Sequence, residues 1–193
     1  MKKKLPGSGP YAVFTVKVTL LGSDPPIWRR LRLPADTTLG ALHWVLQDVF
    51  AWDNDHLHAF IQNWRGRERT YFSDPRHLDD CEDEDDTALA GLLPKIKGKC
   101  HYEYDFGDSW MHEIVLEKVS EESVRPGIAV CLAGTRAAPP EDCGGLFGFY
   151  HNLDVLKQPE HPAYADLMEW MGDYDPEAFE LAGLNRALAR IKV

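Results

Sequence analysis

The stretch YEYDFGDSWMHEIVLE, residues 102–117, decides the fold, because it alternates in character on both sides of a turn signal. Side chains in a strand point to opposite faces with a period of two. Cys100, Tyr102, Tyr104 and Phe106 therefore share one face, and Lys99, His101, Glu103 and Asp105 share the other. On the return, Trp110, His112, Ile114 and Leu116 alternate with Met111, Glu113, Val115 and Glu117. Placing both apolar sets on one sheet face pairs Phe106 with Trp110 and Tyr104 with His112, through a three-residue loop Gly107-Asp108-Ser109. A two-residue turn at Gly107-Asp108 would instead set His112 opposite Glu103 and scatter the aromatics. In the three-residue register Glu103 lies opposite Glu113, with Asp105 two residues along, and like charges so placed are destabilising. Such a cluster needs solvent, an Arg or Lys partner, a shared proton or a cation. His112, on the aromatic face, is expected to be a hydrogen-bonded core histidine, with general base as the alternative role.

Working outward, residues 11–21 and 27–33 alternate as strands around the turn Asp24-Pro25-Pro26, with Ile27, Arg29, Leu31 and Leu33 on one face of the second. Thr38 is the expected N-cap of a helix in which Leu39, Leu42, Leu46, Val49 and Phe50 recur at helical spacing. Residues 56–64 and 69–72 then read as strands joined through Arg65-Gly66-Arg67. Strand, strand, helix, strand, strand is a β-grasp-like order, and the expected fold class is α+β: a mixed, mainly antiparallel sheet with a further hairpin and C-terminal helices packed on it. A short helix is expected at 87–93, one strand at 127–132, and helices at 149–157, 163–171 and 177–191, the last begun by Asp175 with Pro176 in its first turn. Residues 1–10 are expected to be a disordered tail and 11–193 one domain.

Charge narrows the function classes. The net charge is −10, yet residues 79–86 hold seven acids (Asp79, Asp80, Glu82, Asp83, Glu84, Asp85 and Asp86), which leaves −10 + 7 = −3 for the rest. Nucleic-acid affinity comes mainly from clustered Lys and Arg, so the balance weighs against a nucleic-acid partner. The acidic run lacks the glycine and the spaced ligands of an EF-hand loop and is expected to be a solvated loop. Cys81, Cys100, Cys131 and Cys143 show no CxxC spacing and suggest no disulfide framework. Lys2-Lys3-Lys4 is followed by Leu5-Pro6-Gly7 rather than an apolar segment, and there is no apolar run of about eighteen residues. The expectation is a cytoplasmic protein with no membrane partner.

Candidate chemistry is spread along the chain. His56 and His58 stand two apart, as a strand-borne metal pair would. With Asp105, Asp108, His112 and Asp142 they supply enough N and O donors for one or two ions if their segments converge. Glu103, Asp105 and Glu113 are the carboxylates that either meet solvent and arginine or hold something. Residues 139–148 form a Gly-rich loop before a helix; it lacks the Lys-Ser/Thr of a P-loop and is expected to be a shaped turn. Cys143 would act as a nucleophile only beside a base such as His112 or His151.

Four separated segments carry a resemblance: Pro25-Pro26-Ile27-Trp28-Arg29-Arg30, the stretch from Leu42-His43 to His56-Leu57-His58 with Trp52 between, the hairpin at 102–112, and Asp142-Cys143-Gly144-Gly145. Together they resemble the plasmid Ri ORF-three-like family, whose members are often labelled TnpR-like passenger proteins of insertion elements. Residues 174–179 with Asn185 also fit, so that the resemblance spans roughly 11–190. It implies a compact α+β fold and no particular reaction. The residues do not support a literal resolvase, having neither a His-x-x-Arg with a partnered Tyr nucleophile nor an N-terminal Ser among arginines. The leading expectation is a non-enzymatic ligand- or partner-binding or regulatory module, for which the resemblance suggests a link to mobile elements. The rival is a metal-dependent hydrolase or nuclease using His56, His58, Asp105, Asp108, His112 and Asp142; a DNA-binding accessory protein ranks third. No cofactor is evident; a divalent metal is left open by these donors, as is the oligomeric state.

Overall fold

Alternation builds the sheet as expected. In β1 (Tyr11–Leu20) the residues Val16, Val18 and Leu20 turn inward, and in β2 (Trp28–Pro34) Arg29, Leu31 and Leu33 do the same, the two strands pairing antiparallel with Val18 against Arg29. The computed structural model describes residues 10–66 and 68–193; of the expected tail only Pro10 is described, and Arg67 of the expected turn also lies outside the described residues. Helix α1 (Leu39–Phe50) begins where Thr38 accepts a hydrogen bond from the Ala41 amide at 3.2 Å, and its Leu39, Leu42, Leu46, Val49 and Phe50 are buried. Two strands follow, β3 (His58–Gln62) and β4 (Thr70–Ser73). His56 stands outside β3, in the bend before it.

The hairpin is inserted between these two pairs. Its strands β6 (Lys99–Tyr104) and β7 (Trp110–Glu122) bind β3 on one side and β1 on the other. With β5 (Glu82–Asp83) and β8 (Val130–Thr135) the eight-stranded sheet runs β5-β4-β3-β6-β7-β1-β2-β8, antiparallel except between β4 and β5. The class is α+β. One face carries the core under α1, while the other exposes paired charges, with Arg30 on Glu117 at 2.6 Å and Lys99 on Glu113 at 2.7 Å. No helix among the described residues is long and apolar enough to cross a membrane.

The hairpin register departs from expectation by two residues. Tyr104 faces Trp110, Tyr102 faces His112 and Glu103 faces Met111. A shift of two preserves every face, so Tyr102, Tyr104, Trp110, Ile114 and Leu116 are still fully buried, but Phe106 is cast out and 41% exposed. Asp105 causes the longer loop. Its backbone is left-handed (φ 56°), its carboxylate accepts the Gly107 amide at 2.9 Å, and its carbonyl accepts the Ser109 amide at 2.6 Å. The shift also removes the expected Glu103 and Glu113 clash: Glu103 accepts a hydrogen bond from Ser109 at 2.8 Å, and Glu113 takes Lys99.

The acidic run is not simply a solvated loop. Two of its residues form β5, and Glu84 is buried, its carbonyl accepting the Leu39 and Gly40 amides that open α1. Unpaired helix N-terminal amides are what make that carbonyl useful there. The remaining helices are α2 (Leu89–Leu92), α3 (Gly145–Val155), α4 (Tyr164–Met171) and α5 (Leu181–Leu188). The last starts later than expected because Asp175 closes a local turn onto the Glu177 amide, leaving Glu180 to cap the helix by accepting from Ala182 and Gly183. Arg29, buried within the core, ties the layers. It donates to the Val49 carbonyl at the end of α1 and to Thr135 of β8, each at 2.8 Å, and lies over the Phe50 and Phe179 rings; burial lowers its pKa to about 10.

Candidate functional site

Three segments that are distant in sequence meet at the mouth of the hairpin. The bend before β3 supplies His56, the left-handed hairpin loop supplies Asp105, and the loop before α3 supplies Asp142. His56 Nε2 stands 3.8 Å from Asp105 Oδ2 and 3.3 Å from Asp142 Oδ1, and the three donor atoms lie within 4.8 Å of one another. His56 Nε2 is buried and makes no hydrogen bond, Asp105 at 3.8 Å being beyond hydrogen-bond reach. Donors around one tetrahedral zinc stand roughly 3.4 Å apart, given bonds of about 2.0–2.2 Å, so the spacing suits a shared cation.

The surrounding chain holds these groups in place. Asp142, like Asp105, has a left-handed backbone (φ 57°), a conformation that Asp and Asn tolerate better than most residues. Its neighbour Glu141 is clamped from two sides, accepting the Tyr104 hydroxyl and, at 2.9 Å, the Asp53 amide. Burial, then Glu141 itself, keeps the Tyr104 phenol above its ordinary pKa and hence protonated as the donor. Asp108 accepts the Gly144 amide at 3.1 Å, which seats the second loop on the hairpin. The approach is close enough that a Cβ on Gly145 would stand 2.7 Å from the Asp108 carbonyl, so this glycine is required for contact as well as for its φ of 65°. Trp52 donates to the Pro139 carbonyl at 3.0 Å and fixes the start of the same loop.

A polar cleft of about 620 Å³ opens beside this cluster, with His43, Trp44, His56, His58, Glu84 and Asp85 in its walls. His58 Nε2 hydrogen-bonds Glu84 at 2.7 Å, and its ring stacks on His43 with centroids 3.6 Å apart and planes 7° from parallel. His43 is locked as a neutral ring. With Asn54 as acceptor, His43 Nε2 donates to Asn54 Oδ1 at 2.7 Å, so Nδ1 accepts the Tyr102 hydroxyl at 2.8 Å. Gln47 closes the circuit, donating to the Tyr102 oxygen at 3.0 Å and accepting the Asn54 amide at 3.1 Å. Burial, reinforced by His58, pushes the His43 pKa down to about 3.

The other expected site residues go elsewhere. His58 joins Glu84 rather than His56, and Asp108 serves the loop contact. Glu103 and Glu113 lie on the charged face of the sheet, where they take Ser109 and Lys99. His112 is a core residue as expected, but neither ring nitrogen is hydrogen-bonded; it packs among Phe50, Trp52 and Tyr102. Cys143 is buried and its thiol is pushed up to about 12, by burial first and then by Asp108, so it is no ready nucleophile. Glu84, His43 and Gln47 went unnoticed as site residues in the sequence. The signal was there for two of them: His43 and Gln47 are polar residues four apart on the buried stripe of α1, and buried polar groups demand partners.

Comparison with known proteins adds a lineage. The family described as plasmid pRiA4b ORF-3-like protein matches residues 12–183. The uncharacterized protein y4hQ of Sinorhizobium fredii is 34% identical over 181 residues, covering 92% of this chain and 91% of that one. A crystal structure of a protein of unknown function, MM3350 from Methanosarcina mazei Go1, superposes with a TM-score of 0.79 at 34% identity, over 89% of this chain and 97% of the other.

Proposed function

We propose that this chain, which belongs to the plasmid pRiA4b ORF-3-like protein family, is a ligand-binding module built around a divalent-cation centre at His56, Asp105 and Asp142. One observation carries this reading. Two carboxylates and an imidazole nitrogen without a hydrogen bond are brought together by three separate loops, two of them through a left-handed aspartate. Like charges this close repel, and the uncommon backbone geometry costs energy, so a cation between them would offset both. One nitrogen and two oxygen donors suit zinc or manganese better than calcium, which takes six to eight oxygens.

Titration of the full chain with Zn²⁺ and Mn²⁺, followed by calorimetry, tests this. One equivalent is expected to bind, with affinity falling by about 100-fold or more in His56→Ala and in Asp142→Asn while circular dichroism stays unchanged. Absence of binding, or equal affinity in the parent and both variants, would overturn it. A second reading is favoured by the open cleft beside the centre. Three protein donors leave positions for water and a substrate oxygen, which is the arrangement of a metal-assisted hydrolase. Zinc-dependent hydrolysis of 4-nitrophenyl acetate that disappears in Asp105→Asn is its expected signature; turnover indifferent to zinc would remove it.

A further inference from the structure

We propose that the cleft beside the cation centre takes a small organic cation, an ammonium or guanidinium group, held by Asp85 and the face of Trp44. This rests on the reading of that cleft as the ligand-binding side of the module. Charge points to the ligand. The lining carboxylates are Asp55, Asp74, Glu84 and Asp85, against the cations Arg76 and Lys192. Arg76 is spent on Asp74, which it grips through Nε at 2.9 Å and again through Nη2, and Glu84 is engaged by His58. Asp55 and Asp85 remain against Lys192, so the open part of the cleft is negative. The metal at the far end does not reverse this, because Asp105 and Asp142 offset its charge.

The surroundings of Asp85 agree with this charge balance, its neighbouring carboxylates acting against Arg76. Its carboxyl is held above its ordinary pKa, by desolvation first and then by Glu84, Asp83 and Asp74. A cation arriving there would relieve repulsion, whereas a phosphate or carboxylate would add to it. Aromatic surface supplies the second element. Trp44 is 53% exposed on the cleft wall, though it follows the buried His43 on α1, and an exposed indole face attracts ammonium and guanidinium groups. The neutral His43 ring, stacked on His58, adds a flat, unsaturated surface to the wall and brings no positive charge. A cleft of about 620 Å³ accommodates a molecule of small-metabolite size.

The test uses agmatine, which carries both cationic groups, and inorganic phosphate as its opposite, each titrated calorimetrically into the full chain without metal and then with zinc. Agmatine is expected to bind with one-to-one stoichiometry in both conditions and more weakly as salt rises. Asp85→Asn should weaken it about tenfold and Trp44→Ala about three- to tenfold, with the zinc affinity of both variants unchanged. Absence of agmatine binding, parental affinity in both variants, or tighter binding of phosphate than of agmatine to the metal-free protein overturns the assignment. Failure of the cation centre is seen separately, in the zinc titration, and leaves metal-free agmatine binding to be judged alone.

Discussion

Lowering the pH from 7 to 5 is expected to remove about 4 kcal/mol of folding stability from two core histidines alone. His112 is fully buried and His43 nearly so, and burial lowers the pKa of each to about 3. In the unfolded chain both return to about 6.5. Between these values the unfolded chain binds protons that the folded chain refuses, so stability is complete above about pH 6.5 and declines as the pH falls toward 3. Each histidine contributes about 2 kcal/mol over the interval from pH 7 to 5. Urea unfolding followed by tryptophan fluorescence at pH 7, 6 and 5 measures the slope. His112→Leu, close in volume and unable to titrate, should roughly halve it. Stability that stays level from pH 7 to 5 would show that the folded chain admits a second proton on these rings.

Truncating Trp52 to alanine is expected to cost about 3–5 kcal/mol, within the range for large aromatic core residues. Its ring stacks on Phe50, Tyr104 and Trp110 at 5.2, 5.0 and 6.1 Å and meets the edge of His112 at 5.4 Å. The same substitution frees the Pro139 carbonyl and with it the loop that carries Asp142. Trp52→Ala should therefore lower zinc affinity as well as stability. Trp44→Ala, on the exposed face of α1, should stay within about 0.5 kcal/mol of the parent. Equal destabilisation by the two variants in urea melts would contradict the placement of Trp52 at the junction of core and site.

How much of this was legible in the sequence depended on the range of the interactions involved. Period-two alternation assigned the faces of β1, β2, β6 and β7 correctly, and the apolar spacing with Thr38 found α1. Alternation cannot fix register, because a slip of two residues leaves every face unchanged. The register was set instead by Asp105 adopting a left-handed conformation and folding its carboxylate back on Gly107. The acidic run is solvated as expected except at Glu84: like charges in a row signal solvation, and only the tertiary fold reveals that Glu84 turns inward to His58 and the start of α1. The site itself was half legible. His56, Asp105 and Asp142 were among the eight residues singled out for their chemistry, but nothing local separates them from Glu103, Asp108, Glu113, His58 and His112. Convergence is a property of loops meeting across the sheet, and the clamps that bring it about, Tyr104 on Glu141 and Asp108 on Gly144, join residues 37 and 36 positions apart.

The cation centre is tested most directly by anomalous scattering from crystals grown with Zn²⁺. The expected result is a single strong peak about 2.0–2.2 Å from His56 Nε2 and from one carboxylate oxygen each of Asp105 and Asp142. A peak bound elsewhere, or no peak between these three side chains at saturating zinc, would contradict it.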